Sequence, residues 1–97
     1  EAKENEFVSM EDMTTSPISV KLYPNPVTDF ATVQFENPAG LAHSFTLYDL
    51  SGRSVRMLNN IFDGSLQFER GGLKDGVYIY RLTNDYGVVA EGKVILK

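Results

Sequence analysis

Few side chains in this 97-residue sequence have the chemistry that catalysis requires. The single histidine, His43, stands next to Ser44 in the stretch NPAGLAHS, and there is no cysteine. A hydrolase needs a nucleophile, a base and a group that orients the base. The residues around Ser44 do not have the Gly-x-Ser-x-Gly spacing of a nucleophile elbow. We therefore expect His43 to be a solvated loop side chain, and we do not expect an enzyme.

Metal and cofactor sites are also poorly supported. A zinc site takes three or four Cys, His or carboxylate ligands, and the sequence offers one histidine and no cysteine. Calcium loops of the EF-hand type need a fixed spacing of acidic residues that is missing here. Apart from Asp12, the aspartates fall instead in predicted turns, where Asp bonds to its own backbone: Asp29, Asp49, Asp63, Asp75 and Asp85. We predict no metal, no cofactor and no small-molecule substrate.

The negative charge is concentrated at the start of the sequence. Residues 1–17 contain five acidic side chains and one basic side chain, which account for the whole net charge of −4. Residues 18–97 contain eight of each kind and are neutral. Phosphate backbones are bound by clusters of Lys and Arg, so we do not expect nucleic-acid binding.

The sequence divides into a linker and one domain. Residues 1–17 are rich in Glu, Ser and Thr and end in Ser16-Pro17, which predicts a flexible acidic linker. Within it, the stretch EFVSMEDM is more apolar than a plain spacer. From residue 18 onward short β-like segments follow one another, so we place a single domain at 18–97. No apolar run approaches the roughly 20 residues of a membrane helix.

Seven segments have the length and composition of β-strands. We predict them at about 18–23, 30–36, 44–50, 53–58, 64–70, 76–83 and 87–96. Turn sequences separate them: LSGR with Gly52 at a positive φ, Asp63-Gly64, Asp75-Gly76 and NDYG. Short strands with polar turns in this number are typical of a sandwich of immunoglobulin size. The predicted fold is all-β, a seven-stranded antiparallel immunoglobulin-like β-sandwich.

Alternation along these strands identifies the expected core. In FATVQFE the side chains of Ala31, Val33 and Phe35 fall on one face, and the polar side chains of Thr32, Gln34 and Glu36 fall on the other. The last strand, GVVAEGKVILK, divides in the same way, with Val88 on the inward face and Val89 on the outward one. The predicted inward residues are Ala31, Val33, Phe35, Phe45, Leu47, Leu66, Phe68, Tyr78, Tyr80, Leu82, Val88, Ala90, Gly92, Val94 and Leu96.

The stretch LYPNPV, residues 22–27, places two prolines two residues apart after the first predicted strand. Proline fixes its own φ and pushes the residue before it towards the extended region. It also lacks an N–H group and therefore ends strand pairing. The simplest role is to terminate the strand and protect an edge. The alternative is a stiff joint between the linker and the sandwich, which sets how a peptidase meets the linker.

Four stretches, in order, carry a resemblance to a known family: LYPNPV, YDLSGRSVR, LKDGVYIYRL and GVVAEGKVILK. The sequence resembles the type A C-terminal sorting domain of the type IX (Por) secretion system of Bacteroidetes, over roughly residues 20–97. The resemblance implies an immunoglobulin-like sandwich that directs a larger N-terminal cargo across the outer membrane. It also implies passage through the periplasm and a final location at the cell surface or outside the cell.

The resemblance also implies partners. The folded domain would be read by the outer-membrane translocon and its shuttle protein. A sortase-like cysteine peptidase would then cut in the linker, and the cargo in that family is often joined to anionic lipopolysaccharide. We place the cut between about Met10 and Ser19, in a cleavage region that includes Met10, Met13, Thr14, Thr15, Ser16 and Pro17.

The motifs of the family map onto named residues. The glycines among them fit turns, and Tyr78, Leu82 and Val94 fit the core. Lys93, Lys97 and the exposed part of YPNP are needed least by the fold and are the expected recognition residues. The full set of sorting-motif residues is Tyr23, Pro24, Asn25, Pro26, Gly52, Gly76, Tyr78, Gly87, Lys93, Val94, Ile95, Leu96 and Lys97, with Leu50, Val55 and Leu82 as neighbours.

Two other functions stay open on the sequence alone. An adhesive or carbohydrate-binding sandwich would bind through loops or an exposed aromatic face. A passive spacer would bind nothing. The last strand also offers an edge for strand addition to a partner, and a weak dimer by strand exchange is a further alternative.

Overall fold

The computed structural model describes residues 19–97, and these form seven β-strands. The strands match the seven predicted ones, with close agreement at every end except that of the fourth. Residues 1–18, which hold the predicted linker and nearly all of the cleavage region, lie outside the described residues. The strands are β1 (Val20–Tyr23), β2 (Phe30–Phe35), β3 (His43–Tyr48), β4 (Ser54–Ile61), β5 (Ser65–Glu69), β6 (Gly76–Asn84) and β7 (Gly87–Leu96).

The strands form two antiparallel sheets that pack face to face. One sheet has three strands in the order β1–β2–β5, and the other has four in the order β4–β3–β6–β7. The predicted all-β antiparallel sandwich is confirmed. Among residues 19–97 no helix forms that is long and apolar enough to cross a membrane.

The core lies between the sheets and is built from the inward side chains of alternating residues. Phe45 joins the two sheets, because its ring stacks on Phe68 of the other sheet at 5.4 Å and on Tyr80 of its own sheet at 5.8 Å. Ring pairs at this spacing stabilise a core beyond the effect of burial alone. The predicted inward residues that are buried are Ala31, Val33, Phe35, Phe45, Leu47, Leu66, Phe68, Tyr78, Leu82, Ala90, Val94 and Leu96.

The prediction is wrong for the start of β7. Val88 is 44% exposed, whereas Val89 packs against the core. The register between β6 and β7 shifts at this point: Leu82 pairs with Ala90, but Thr83 pairs with Val88. In the residues of β7 that precede this β-bulge, the inward and outward faces are therefore exchanged relative to the simple alternation.

A second bulge lengthens β4. Its pairing with β3 shifts between His43–Ile61 and Phe45–Leu58, and Asn60 has a φ of 58°. Asparagine is one of the few non-glycine residues that adopt this left-handed backbone readily. The strand therefore continues to Ile61, beyond the predicted end near residue 58.

His43 is not the solvated loop residue that the sequence predicted. It is the first residue of β3, is only 4% exposed, and its ring lies 4.8 Å from the ring of Phe35. Its Nδ1 is 2.9 Å from the carbonyl oxygen of Leu41, and its Nε2 is 3.4 Å from the Asn84 side-chain amide. Both ring nitrogens have partners within the fold, so the side chain has a structural role.

The β3–β4 turn is organised by Asp49. Its carbonyl accepts the N–H of Gly52 at 3.0 Å, and Gly52 has the predicted positive φ, 92°. Its carboxylate accepts the Ser51 hydroxyl at 2.6 Å and the N–H of Arg53 at 3.0 Å. The hydroxyl of Ser51, followed by the N–H of Arg53, holds the pKa of Asp49 below its ordinary value of 3.8.

We expect Asp49 to stabilise the domain above about pH 4 and to lose this effect in more acid solution. Since folding lowers the pKa of Asp49, the folded state binds the proton less tightly than the unfolded state does. The free energy of unfolding therefore falls as the pH decreases through the folded pKa. Urea unfolding of the wild type and Asp49→Asn between about pH 2 and 5 measures this contribution. Parallel pH curves for the two proteins would contradict it.

Candidate functional site

The first and last sequence motifs meet at one end of the sandwich. The N–H of Val27 donates to the carbonyl of Ile95 at 2.7 Å, and the N–H of Lys97 donates to the carbonyl of Val27 at 2.9 Å. These bonds form a parallel bridge between Val27 and Leu96, whose side chains are both buried. The β1–β2 connection of one sheet thus pairs with the last strand of the other.

Asn25 adds a third bond to this contact. Its Oδ1 accepts the N–H of Ile95 at 3.0 Å. Pro24 and Pro26 follow cis peptide bonds and have no N–H to donate. The polar contacts of the segment with β7 therefore come from Asn25 and Val27. We call the two paired segments, Asn25–Val27 and Ile95–Lys97, the motif junction.

The position of YPNP decides between the two roles predicted for it. β1 precedes this stretch and pairs with β2 from Val20–Phe35 to Tyr23–Thr32. The stretch therefore ends a strand that already belongs to the sandwich, and its Asn25 contacts the outer edge of β7 at Ile95. A joint between the linker and the sandwich does not fit this position.

We expect Asn25→Ala to lower the free energy of unfolding by about 1 kcal/mol, because the N–H of Ile95 loses its acceptor. Asn25→Asp is the matched control, since its carboxylate keeps an acceptor oxygen at the same position. Urea unfolding of the three proteins measures the effect. Equal losses in both variants would show that the side chain of Asn25 stabilises the domain in some other way.

The outward residues of β7 lie beside the motif junction. Lys93 pairs with Ile79 of β6, and Ile95 pairs with Val77. Val77 and Ile95 are each 36% exposed, and Lys93 is exposed as well. The outer face of the four-stranded sheet therefore carries an apolar strip of Val77, Ile79 and Ile95 with Lys93 at its side.

A family model described as the secretion system C-terminal sorting domain matches residues 21–97. This range contains the motif junction and the apolar strip. The chain belongs to this family of type IX secretion sorting domains. No curated protein matches the sequence. The resemblance that the four motifs suggested is confirmed.

Membership of the family gives the general function. The sorting domain is a C-terminal signal for type IX secretion, and its family is one of sorting signals and not of catalysts. A signal of this kind acts on a cargo N-terminal to it and on the type IX secretion machinery. It directs export towards the cell surface or the extracellular space.

Several motif residues of the sorting domain support its fold. Gly76 and Gly87 begin β6 and β7 with positive φ angles, 153° and 121°. Tyr78 is 7% exposed and donates its hydroxyl to the carbonyl of Lys74 at 2.7 Å. Of the neighbouring residues, Leu82 is buried, Val55 is partly buried and Leu50 is exposed.

The two motif lysines differ from the arginines that form ion pairs in the described part of the chain. The ion pairs within residues 19–97 all use arginine: Arg53–Asp49, Arg70–Asp75 and Arg81–Glu91. Lys93 and Lys97 take part in none of these pairs and are exposed. The side chains of the two motif lysines are therefore available for contact with a partner.

One residue at the junction was missed by the sequence analysis. Arg70, just after β5, donates from Nη1 to the carbonyl of Lys97 at 2.9 Å. The two residues are 27 positions apart, and no motif marks Arg70. Only the three-dimensional arrangement reveals the contact.

The chemistry available around the junction is that of a protein contact surface. It consists of backbone hydrogen bonds, an apolar strip and exposed lysines. In the part of the chain that the structure describes, no three His, Cys, Asp or Glu side chains come close enough to hold a metal ion. An apolar patch with charged residues at its rim is the usual composition of a protein interface.

Proposed function

We propose that the type IX machinery recognises the sorting domain as a folded unit, at the motif junction and the adjoining apolar strip. The observation that carries this proposal is the direct pairing of the first and last motifs, because Asn25 and Ile95 bond across 70 positions. A receptor that contacts one motif in the folded domain therefore meets the other as well. The proposed receptors are the outer-membrane translocon and its shuttle protein.

Within this surface, Lys93 and Lys97 provide the charge that fixes the register of the receptor. Both are exposed and lie outside the ion pairs of the described residues. The apolar strip of Val77, Ile79 and Ile95 provides area to be buried. Charged groups at a rim set orientation and association rate, and apolar area contributes affinity.

The remaining steps proposed for the pathway concern the cargo and the linker. The cargo crosses the periplasm with the sorting domain attached and is joined to anionic lipopolysaccharide or released. A sortase-like cysteine peptidase cuts in the acidic linker, 1–17, or immediately after it, between about Met10 and Ser19. This leaves all seven strands of the domain intact, because the first strand starts at Val20. Mass spectrometry of the released domain tests the cut, and an N terminus within β1 would contradict it.

We expect Lys93→Ala combined with Lys97→Ala to reduce export by about tenfold while changing the free energy of unfolding by less than about 1 kcal/mol. The test fuses residues 1–97 to the C terminus of a periplasm-targeted fluorescent reporter in a Bacteroidetes host with a type IX system. Reporter at the cell surface and in the medium is compared with reporter in the periplasm. Urea unfolding of the isolated chain measures stability.

The control for this prediction removes two positive charges elsewhere. Lys21→Ala with Arg53→Ala changes the net charge equally, and both side chains lie outside the motif junction. This control is expected to be exported like the wild type. Equal export of all three proteins would contradict recognition through the two lysines. Retention of the wild-type fusion in the periplasm would contradict the sorting function in that host.

A second candidate function, carbohydrate binding, is favoured by one observation. Tyr23 and Phe30 are 45% and 46% exposed. They lie on the same outer face of the three-stranded sheet, because Tyr23 pairs with Thr32, two residues after Phe30. Two exposed rings on one face of a sheet resemble a stacking platform for sugars. Glycan binding that is lost in Tyr23→Ala with Phe30→Ala would support this alternative.

A further inference from the structure

Arg70 lies where three separate segments of the sorting domain meet. Its Nε donates to the carbonyl of Leu73 at 3.1 Å, and its Nη1 donates to the carbonyls of Lys97 at 2.9 Å and Thr28 at 3.5 Å. Its Nη2 bonds to the carboxylate of Asp75. One side chain thus connects the β1–β2 connection, the β5–β6 loop and the residue that follows β7.

This guanidinium is well placed for such a role. Its side chain is 14% exposed, whereas that of its partner Asp75 is 73% exposed. The carboxylate balances the charge from the solvent side, and three carbonyls accept the N–H groups of Nε and Nη1. The backbone of Arg70 is fixed too, because its N–H donates to the carbonyl of Asp29 at 2.8 Å.

We propose that Arg70 is a positioning residue for the sorting signal, which rests on the function proposed above. With Asp75 it holds the backbone of Lys97, and so keeps Ile95–Lys97 in register against Asn25–Val27. The junction is then presented to the secretion machinery in one arrangement. Arg70 itself needs no contact with the receptor.

The effect of Arg70 is local because the core does not depend on its side chain. Phe45 and Leu47 are fully buried among the apolar residues of the core, and the Arg70 side chain makes its polar contacts with Thr28, Leu73, Asp75 and Lys97 instead. The ends of strands open with lower free energies than the core strands do. Loss of the side-chain hydrogen bonds of Arg70 therefore loosens the junction under conditions in which the sandwich remains folded.

The test uses the complete chain and two independent readouts. Amide hydrogen exchange by NMR follows Val27, Ile95 and Lys97 at the junction, with Phe45 and Leu47 as reference amides. Export of the reporter fusion is measured in parallel.

Three variants are compared with the wild type. Arg70→Met removes every side-chain N–H donor. Arg70→Lys keeps the positive charge but not the planar guanidinium, and Asp75→Asn removes the charge of the partner. Arg53→Met is the matched control, because its side chain is 79% exposed and bonds only within the β3–β4 turn.

In Arg70→Met the junction amides are expected to exchange about tenfold faster, the factor for one hydrogen bond of ordinary strength. The reference amides stay unchanged, and export falls several-fold. Arg70→Lys and Asp75→Asn are expected to be intermediate in both readouts, and Arg53→Met should behave as the wild type.

Four results would overturn the proposal. If the junction amides are unchanged in Arg70→Met, the residue does not hold the junction. If they exchange faster but export is normal, the arrangement of the junction does not matter for sorting. If Arg70→Lys gives the same exchange rates and the same export as the wild type, the positive charge holds the junction and the N–H groups of the planar guanidinium are not required. If the wild-type fusion itself is not exported, the sorting role fails together with the proposed function, and the exchange data report on structure alone.

Discussion

Phe45→Ala is expected to lower the free energy of unfolding by about 3–5 kcal/mol. Phe45 is fully buried and stacks on Phe68 of the opposite sheet and on Tyr80 of its own. Its removal leaves a cavity at the contact that joins the two sheets. A domain of about 80 residues has a total stability of about 4–12 kcal/mol, so the variant keeps little of it.

Urea unfolding followed by circular dichroism measures this loss. Tyr86→Ala is the control, because Tyr86 is 85% exposed in the β6–β7 turn. Removal of an exposed aromatic ring is expected to change stability by about 0.5 kcal/mol or less. A loss at Phe45 no larger than the loss at Tyr86 would show that the stacked rings do not hold the sheets together.

The regular part of this fold could be predicted from alternation and turn chemistry. ATVQF and SLQFE alternate between apolar and polar residues, and a strand with one face in the core repeats every two residues. The turn at Gly52 and the turn before Gly87 were marked by residues that favour positive φ. These signals are local, so one sequence was sufficient to read them.

The errors arise where the structure depends on pairing between distant strands. The bulge that exposes Val88 is a slip against β6, and neither strand shows it alone. His43 is buried because Phe35 covers its ring and Asn84, 41 positions away, approaches its Nε2. Such contacts depend on which strands become neighbours, and the type of a residue does not determine that.

The same limit applies to the candidate site. The family resemblance named Asn25 and Ile95, but not the bond between them. Alternation along the last strand placed Gly92 on the inward face but did not explain why a glycine stands there. The structure gives the reason, since a Cβ there would lie 2.5 Å from a ring carbon of Tyr80 on the neighbouring strand. Arg70 belongs to no motif and appears only through its contacts.

We expect a chain that lacks residues 93–97 to be unfolded under conditions in which the full chain is folded. The deletion removes Val94 and Leu96, which are 0% and 1% exposed, and the burial of each contributes about 1.5–3 kcal/mol. It also removes the bonding partners of Val27 and Arg70 at the junction. Together these losses approach the whole stability of a domain of this size. Cooperative urea unfolding of the shortened chain would contradict this expectation.

This result determines how an export experiment on the last strand is interpreted. A deletion that unfolds the domain abolishes export whether the machinery reads the fold or the side chains. Lys93→Ala with Lys97→Ala leaves the buried residues of β7 in place and removes only exposed groups. If that variant is folded but not exported, the loss belongs to recognition at the surface. If the deleted chain is exported as well as the full chain, neither the folded domain nor its last strand is the signal.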